Sequence, residues 1–159
     1  MAVREKRNAI KIEGWRLSRV PIDKTETIFQ GDMLAWVDAT KLATKLTGTS
    51  GAQFLGVSET SNPVETIGSP TFLSDSANPR VNVMQQGLVE MVAGESMTIY
   101  PFDRVTVGVD AQTVVKTGAT AGNMVGLVDP SYGNAGRAVV AGDLVKFWIS
   151  VPDLYRVWR

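Results

Sequence analysis

The sequence of 159 residues contains no histidine and no cysteine. Hydrolases of the serine and cysteine classes need an imidazole base with a pKa near 7, so the sequence excludes both mechanisms. Zinc and copper sites normally use imidazole or thiolate ligands, which are also missing. The phosphate-binding, dinucleotide-binding and nucleophilic-serine motifs do not occur either. We therefore expect a protein that uses neither a metal nor a cofactor.

One enzymatic alternative remains, a pair of carboxylates of the kind used by glycosidases. The sequence contains 16 acidic residues, and the candidates for such a pair are Glu90, Glu95, Asp103 and Asp110. Each of them also fits a turn or the outward-facing position of a strand, and most acidic side chains lie at such surface positions. We therefore expect that the protein is not an enzyme.

The charged residues balance to a net charge of zero. This balance argues against binding to nucleic acid, which draws its affinity from an excess of basic side chains facing phosphate. The distribution is uneven, however. Residues 1–30 contain seven basic and four acidic side chains, so this segment carries +3 and the remainder of the chain carries −3. The sequence predicts a basic N-terminal arm on a mildly acidic body.

Long apolar runs are missing as well. The longest interval without a charged residue is 46–58, which is rich in glycine, threonine and serine and far shorter than the ~20 apolar residues that cross a bilayer. The charged start, Met1 to Arg7, is followed by no apolar segment of the signal-peptide kind. Without cysteines or glycosylation sequons, we expect synthesis in a reducing cytoplasm and no membrane partner.

Short valine-rich segments of alternating polarity dominate the second half of the sequence. Period-two alternation predicts strands with one face on a common core, and Gly-Asp and Gly-Glu pairs at residues 31–32, 94–95 and 142–143 predict the turns between them. We expect a mainly β fold, a small β-barrel or β-tulip, 17.2 kDa in mass and one domain in size. The predicted core is Val81, Val83, Val105, Val107, Val109, Val125, Val145, Phe147 and Ile149.

The boundaries follow from the same patterns. Residues 1–24 lack a clean period and are predicted to form the extended arm, residues 25–151 the barrel, and residues 152–159 a C-terminal tail. At most one short helix is predicted, and residues 38–46 are the best candidate, because Asp38 can cap its N-terminus and apolar residues recur at helical spacing up to Leu46.

A weak internal echo links the two halves of the sequence. Gly31-Asp32 precedes a Phe54 to Val57 strand and a Val81-x-Val83 segment, while Gly94-Glu95 precedes a Met124 to Val128 strand and Val139-Val140. The spacing between the matched glycines is 25 residues in one half and 32 in the other. The echo favours a closed barrel or a sandwich but does not define a repeat.

These motifs carry a resemblance to a known family. The Gly31-Asp32 turn and strand, the Phe54 to Val57 strand, the Val81-x-Val83 strand and the closing segment Ala141 to Ile149 resemble the small capsid decoration, or cement, proteins of tailed bacteriophages. The resemblance covers residues 25–151. It implies a β-barrel or β-tulip protomer, usually a homotrimer, on the exterior of the virion. Such proteins bind the major capsid protein at threefold junctions between capsomers and stabilise the shell.

The terminal segments hold the residues that we expect to contact a partner. In the arm these are Arg4, Lys6, Arg7 and Trp15, since an aromatic residue on a basic segment can anchor it to a protein surface. In the tail they are Tyr155 and Trp158, because aromatic residues are enriched at protein contacts. The tail has an equally good alternative, which is that its aromatics pack back onto their own barrel.

A carbohydrate-binding β module on a phage surface is the alternative function. Such a module would also lack histidine and cysteine, but it would display two or more exposed aromatic residues on one face. Beside the terminal pair, the sequence offers Tyr100 and Tyr132 for that role.

Overall fold

The computed structural model describes residues 16–47, 53–61, 79–116 and 124–151. The expectation of a mainly β fold with a barrel is confirmed. The strands are β1 Arg16–Pro21, β2 Met33–Val37, β3 Leu42–Lys45, β4 Gln53–Ser58, β5 Arg80–Met84, β6 Gln86–Ala93, β7 Met97–Ile99, β8 Arg104–Val107, β9 Thr113–Lys116, β10 Met124–Val128, β11 Arg137–Val139 and β12 Leu144–Ser150.

The second half of the chain forms a closed barrel in the order β10-β12-β6-β9-β8. Its longest pairing joins β12 to β6 antiparallel, with Phe147 opposite Val89. Along β12 buried and more exposed residues alternate, as the period-two pattern predicts. The barrel closes through a parallel pairing of β6 with β9, in which Ala93 lies opposite Val114. We call this unit barrel two.

The first half of the chain forms a five-stranded sheet in the order β1-β5-β4-β2-β3. Its two edge strands meet through a parallel bridge between Ile22 and Ala43, and the Asp23 N–H donates to the Ala43 carbonyl at 3.2 Å. The sheet is therefore rolled up, and we call it barrel one.

The two barrels have the same topology. In each, the first strand pairs parallel with the third and antiparallel with the fifth, the second pairs with the third and fourth, and the fourth pairs with the fifth. The chain therefore contains a structural repeat, of which the internal echo in the sequence matched the Phe54 to Val57 and Met124 to Val128 strands correctly. Strands β1 to β5 correspond to β6, β8, β9, β10 and β12.

A glycine marks the same point in both barrels. Gly56 is paired with Leu34, and Gly126 is paired with Val105. A Cβ atom on Gly56 would lie 2.3 Å from the Met84 carbonyl oxygen, and one on Gly126 would lie 2.3 Å from the Trp148 carbonyl oxygen. In each case the fourth strand approaches the fifth so closely that no side chain fits between them.

The interiors correspond as well. The interior of barrel one is a separate cluster of Val20, Ile22, Ile28, Leu34, Ala43, Leu55, Val81 and Val83. The topologically equivalent residues of barrel two are Met91, Ala93, Ile99, Val105, Val114, Val125, Val145 and Phe147, all of which are buried. Eight of the nine residues predicted as core are buried, and Val109 is wrong, since it lies in the β8–β9 turn with 88% of its surface exposed.

Barrel one packs on barrel two through its outer face. Met33, Phe54, Val57 and Met84 point away from the interior of barrel one and belong to the same buried cluster as the interior of barrel two. The Met33 N–H also donates to the Ala111 carbonyl of the β8–β9 turn at 2.7 Å. The outer face of barrel one and the interior of barrel two therefore form one continuous buried cluster, and the interior of barrel one forms a second.

The helix candidate over residues 38–46 does not form a helix. Residues 38–41 form a turn in which the Lys41 N–H donates to the Val37 carbonyl at 2.9 Å, and Leu42–Lys45 is the strand β3. Pairing with β2 and burial of Ala43 at the barrel seam outweigh the local helical periodicity.

The predicted arm of residues 1–24 is also too long. Arg16–Pro21 is a strand paired with β5, and Val20 and Ile22 lie in the interior of barrel one. The described part of that segment belongs to the body because its apolar residues complete a barrel. Residues 1–15 lie outside the described residues.

Candidate partner-binding surface

All six residues predicted to contact a partner lie outside the described residues. Arg4, Lys6, Arg7 and Trp15 precede β1, and Tyr155 and Trp158 follow Val151. The structure shows where their segments are attached. Arg16 is paired with Met84. The Val151 N–H donates to the carbonyl of Gln85, the residue that follows Met84, at 2.9 Å. Both terminal segments therefore start at the junction between the barrels.

Two of the four carboxylates considered for catalysis, Asp103 and Asp110, have structural partners. Asp103 accepts from the Tyr100 N–H at 2.8 Å and forms an ion pair with Lys116, and Asp110 accepts from the Gln112 N–H at 2.8 Å. Glu90 lies on β6 opposite Lys146 of β12. Glu95 is exposed in the turn after β6. In each case the position is the turn or outward-facing strand site that the sequence allowed.

A cleft of about 350 Å³ lies at the seam of barrel one, between Pro21, Leu42 and Arg80. Its carboxylate, Asp23, accepts from the Thr25 hydroxyl at 2.7 Å and from the Thr25 N–H at 2.8 Å. These hydrogen bonds hold the pKa of Asp23 below its ordinary value. The carboxylate thus stabilises the local turn in its ionised form, and among the described residues that line the cleft there is no second acid.

Over residues 16–47, 53–61, 79–116 and 124–151, no three acidic side chains come together as a metal site would require. In the same ranges no helix is long and apolar enough to cross a membrane.

Three turns of the same construction precede strands β2, β8 and β12. In each, the aspartate N–H donates to the carbonyl three residues earlier, and the carboxylate accepts the N–H of that same residue. The pairs are Phe29 with Asp32, Tyr100 with Asp103, and Val140 with Asp143. The residue before each aspartate has positive φ: 95° at Gly31, 65° at Phe102 and 101° at Gly142.

Phe102 is the exception among these turns. Glycine adopts positive φ at little cost, whereas a phenylalanine there carries strain of about 1 kcal/mol or more. The side chain is also 64% exposed, so burial does not offset that strain. A strained and exposed aromatic residue is typical of a contact site rather than of a structural one.

The residues around Phe102 hold its turn, Tyr100 to Asp103, in place. The Lys116 ammonium lies 2.8 Å from Asp103 and 5.2 Å from the centre of the Tyr100 ring. The same ring covers Gly136, where an added Cβ would lie 2.5 Å from it. Tyr100 itself is 43% exposed. We call residues Tyr100 to Asp103 the aromatic turn. The turn precedes β8, and β8 begins beside the end of β9. Since β9 runs parallel to β6, the turn lies at the end of barrel two where β6 ends at Ala93.

A second aromatic site lies on the side of barrel two. Trp148 points outward from β12 and is 41% exposed. Its indole N–H donates to Asp129 at 2.9 Å. Hydrogen bonds from Ser131 and from Trp148 hold the pKa of Asp129 below its ordinary value, although burial opposes the shift. The Tyr132 hydroxyl accepts the Lys146 N–H at 2.7 Å, so Tyr132 serves the fold and is not a free aromatic platform.

The sequence analysis identified neither Phe102 nor Trp148 as an exposed aromatic residue. The signal for Phe102 was present in the sequence, since Tyr100 to Asp103 aligns with Phe29 to Asp32 and places an aromatic residue where the other turn has glycine. No protein-family model matches the chain, and a search of curated proteins finds no match.

Proposed function

We propose that the protein is a capsid decoration protein that binds the outside of a phage head at junctions between capsomers and stabilises the shell. In this role it binds the major capsid protein, most simply as a homotrimer, and resides on the virion exterior. It is made in the cytoplasm of the bacterial host and acts without catalysis.

The observation that best supports the proposal is the separation, along barrel two, of the point where the arm is attached from the aromatic turn. The basic arm, residues 1–15, is attached at the junction between the barrels, beside the start of β6. The aromatic turn lies at the other end of barrel two. Strand β6 has 8 residues, which corresponds to about 25 Å. A body with two contacts this far apart can engage two shell subunits at once, and simultaneous engagement multiplies affinity.

The arm supplies the electrostatic part of the contact. Arg4, Lys6 and Arg7 face an acidic shell surface in this proposal, and Trp15 fills a pocket next to it. An extended arm can also add a strand to an exposed sheet edge of the shell protein. The aromatic turn supplies the apolar part.

The test compares the full chain with a variant that lacks residues 1–15, using undecorated heads of the phage that encodes the chain over a range of salt concentrations. We expect the truncated protein to bind much more weakly and with less dependence on salt. Circular dichroism checks that its barrels are folded. A matched variant with Arg4, Lys6 and Arg7 changed to glutamine should lose the salt dependence and keep part of the affinity. Equal decoration by all three proteins at every salt concentration would contradict the proposal.

Carbohydrate binding is the second candidate function. It is favoured by one observation, the exposure of Tyr100 and Phe102 within a single turn beside the Lys116 ammonium. The two functions differ in one measurement. Binding of the full chain to a glycan array that is abolished by Phe102→Ala, without decoration of heads, would favour the carbohydrate module.

The trimer has its own test. Sedimentation equilibrium should show association at high concentration, and the density on decorated heads should have threefold symmetry. A monomer in both measurements would contradict the trimer but not the decoration role.

A further inference from the structure

An apolar strip crosses the outer side of barrel two. Trp148 of β12 is paired with Leu127 of β10 on one side and with Leu88 of β6 on the other. The neighbours of Trp148 along β12, Phe147 and Ile149, belong to the interior, so Trp148 and its cross-strand partners point outward. We call these three residues the Trp148 strip.

The equivalent strip of barrel one is covered. Gly126 corresponds to Gly56, and therefore Leu127 corresponds to Val57 and Trp148 to Met84. Val57 and Met84 are each only 1% exposed, because barrel two lies on them. Trp148, in contrast, is 41% exposed. The repeat thus has one strip that is buried against a neighbour and one whose central residue, Trp148, is exposed, while Leu88 at its β6 side is buried.

The chain itself provides the cover in barrel one. The residue that follows β5 is Gln85, whose side-chain amide donates to the Leu55 carbonyl of barrel one at 3.2 Å. From there the chain leads directly into barrel two, the unit that covers Val57 and Met84. In the repeat, the covering segment is therefore the one that follows the fifth strand.

The segment that follows the fifth strand of barrel two is residues 152–159. Four of its eight residues are apolar or aromatic: Leu154, Tyr155, Val157 and Trp158. Trp148 lies three residues before Val151, a distance of about 10 Å along a strand, while eight residues can span up to about 26 Å. The segment therefore has both the length and the composition to cover the strip.

We propose that residues 152–159 fold back over the Trp148 strip of the same chain and bury Trp148 and Leu127 beneath their own aromatic residues. This assigns Tyr155 and Trp158 to the barrel and leaves shell contact to the arm and the aromatic turn. The proposal does not depend on the decoration role, since it concerns the chain alone.

The absence of cysteine from the natural sequence allows a clean cross-linking test. Leu127→Cys is combined in turn with a cysteine at 154, 155, 157 or 158, and the four double variants are oxidised at low protein concentration. The matched control places the partner cysteine at Val140, which is 58% exposed and lies beyond β11. We expect at least one Leu127 pair to form an intramolecular disulfide about tenfold faster than the same tail cysteine paired with Val140.

Other outcomes of the oxidation decide against the proposal. Equal rates for the Leu127 and Val140 pairs would mean that the tail does not dock on the strip. Disulfide-linked dimers that persist on dilution would mean that the tail covers the strip of a second copy. Either result overturns the proposal.

A second measurement uses the full chain without cysteines. Trypsin can cleave after Arg156, and a docked tail protects that bond. Trp148→Ala should raise the rate of cleavage there about tenfold, whereas Val140→Ala should leave it unchanged. Fast cleavage already in the natural chain, with no further rise in Trp148→Ala, would overturn the proposal even where no disulfide pair has suitable geometry.

Discussion

Barrel one and barrel two share a strand order but differ in how they are completed. Barrel one closes through a single bridge, Ile22 with Ala43, and buries its outer face on its neighbour. Barrel two closes through a paired segment of β6 and β9, and Trp148 of its outer strip is exposed. The difference shows that one topology is compatible with a buried residue at this position in one copy and an exposed one in the other.

The interiors differ in side-chain size at one pair of equivalent positions on the fifth strands. Phe147 and Val83 each lie against the glycine of the neighbouring strand, and both are fully buried. Phe147→Ala should lower the free energy of unfolding by about 4 kcal/mol and Val83→Ala by about 2 kcal/mol, because the larger side chain leaves the larger cavity. Urea denaturation measures both. Equal losses would mean that the two interiors depend on their fifth strands to the same degree.

The two close-approach glycines make a stricter comparison. Gly56→Ala and Gly126→Ala both place a Cβ 2.3 Å from a backbone carbonyl oxygen, so each should destabilise the protein by about 3 kcal/mol. Gly56 also has a φ of 145°, which adds backbone strain. We therefore expect the lower melting temperature for Gly56→Ala. The reverse order would show that barrel one yields more easily at this point than barrel two.

The carboxylate of Asp129, which follows β10, should make the stability of the fold depend on pH. Asp129 occupies the position of Glu59, since each donates its N–H to the fifth strand, to Lys146 and Asn82 respectively. The pKa of Asp129 is lowered in the fold, so its stabilisation is full above the unfolded-state pKa of about 3.9 and disappears as pH falls through the folded value. Asp129→Asn should cost about 1 kcal/mol at pH 7.

The pH dependence provides the control for this variant. The difference in unfolding free energy between Asp129→Asn and the natural chain should shrink as pH falls below about 4. A difference that stays constant down to pH 2 would show that the amide disturbs packing and not a charged hydrogen bond.

The smallest effect concerns the aspartate turns. Phe102→Gly removes strain and should raise the free energy of unfolding by somewhat less than about 1 kcal/mol, since glycine also gains entropy in the unfolded chain. Gly142→Ala has no atom within 4 Å of the new Cβ and a φ of 101°, so it should lose about 1 kcal/mol from backbone strain alone. Thermal unfolding checks both signs. A loss of stability in Phe102→Gly would assign Phe102 a packing role.

The β content and most of the core could be predicted from the sequence, because alternation along Val105 to Val107 and Val145 to Ile149 depends only on which residues are apolar. The helix over residues 38–46 was mispredicted for a related reason. Its apolar spacing is helical, but only tertiary pairing reveals that Ala43 closes a barrel seam.

Only part of the repeat could be predicted from the sequence. The match of Phe54 to Val57 with Met124 to Val128 is correct, because a glycine is required where the fourth and fifth strands touch. The other matches were wrong: Asp32 corresponds to Asp103 and Val83 to Phe147. Spacing fails for Val83 and Phe147, since the connections between the fourth and fifth strands differ in length and loop length costs little free energy. The match of Asp32 failed for another reason, because the second copy has Phe102 in place of the glycine of the Gly-Asp pair. Surface exposure of Phe102 and Trp148 depends on the packing of distant segments, which no local pattern encodes.

The two barrels are also consecutive along the chain, with Gln85 as the only residue between β5 and β6. Among the described strands, neither barrel includes a strand from the other half of the chain. During synthesis, all strands of barrel one leave the ribosome before the first strand of barrel two. Synthesis proceeds at about 5 to 20 residues per second. Met33, Phe54 and Met84 therefore remain uncovered for on the order of 3 to 13 s, until barrel two has been synthesised. Because barrel one precedes barrel two in the sequence, the apolar outer face of barrel one is exposed on the nascent chain during this period.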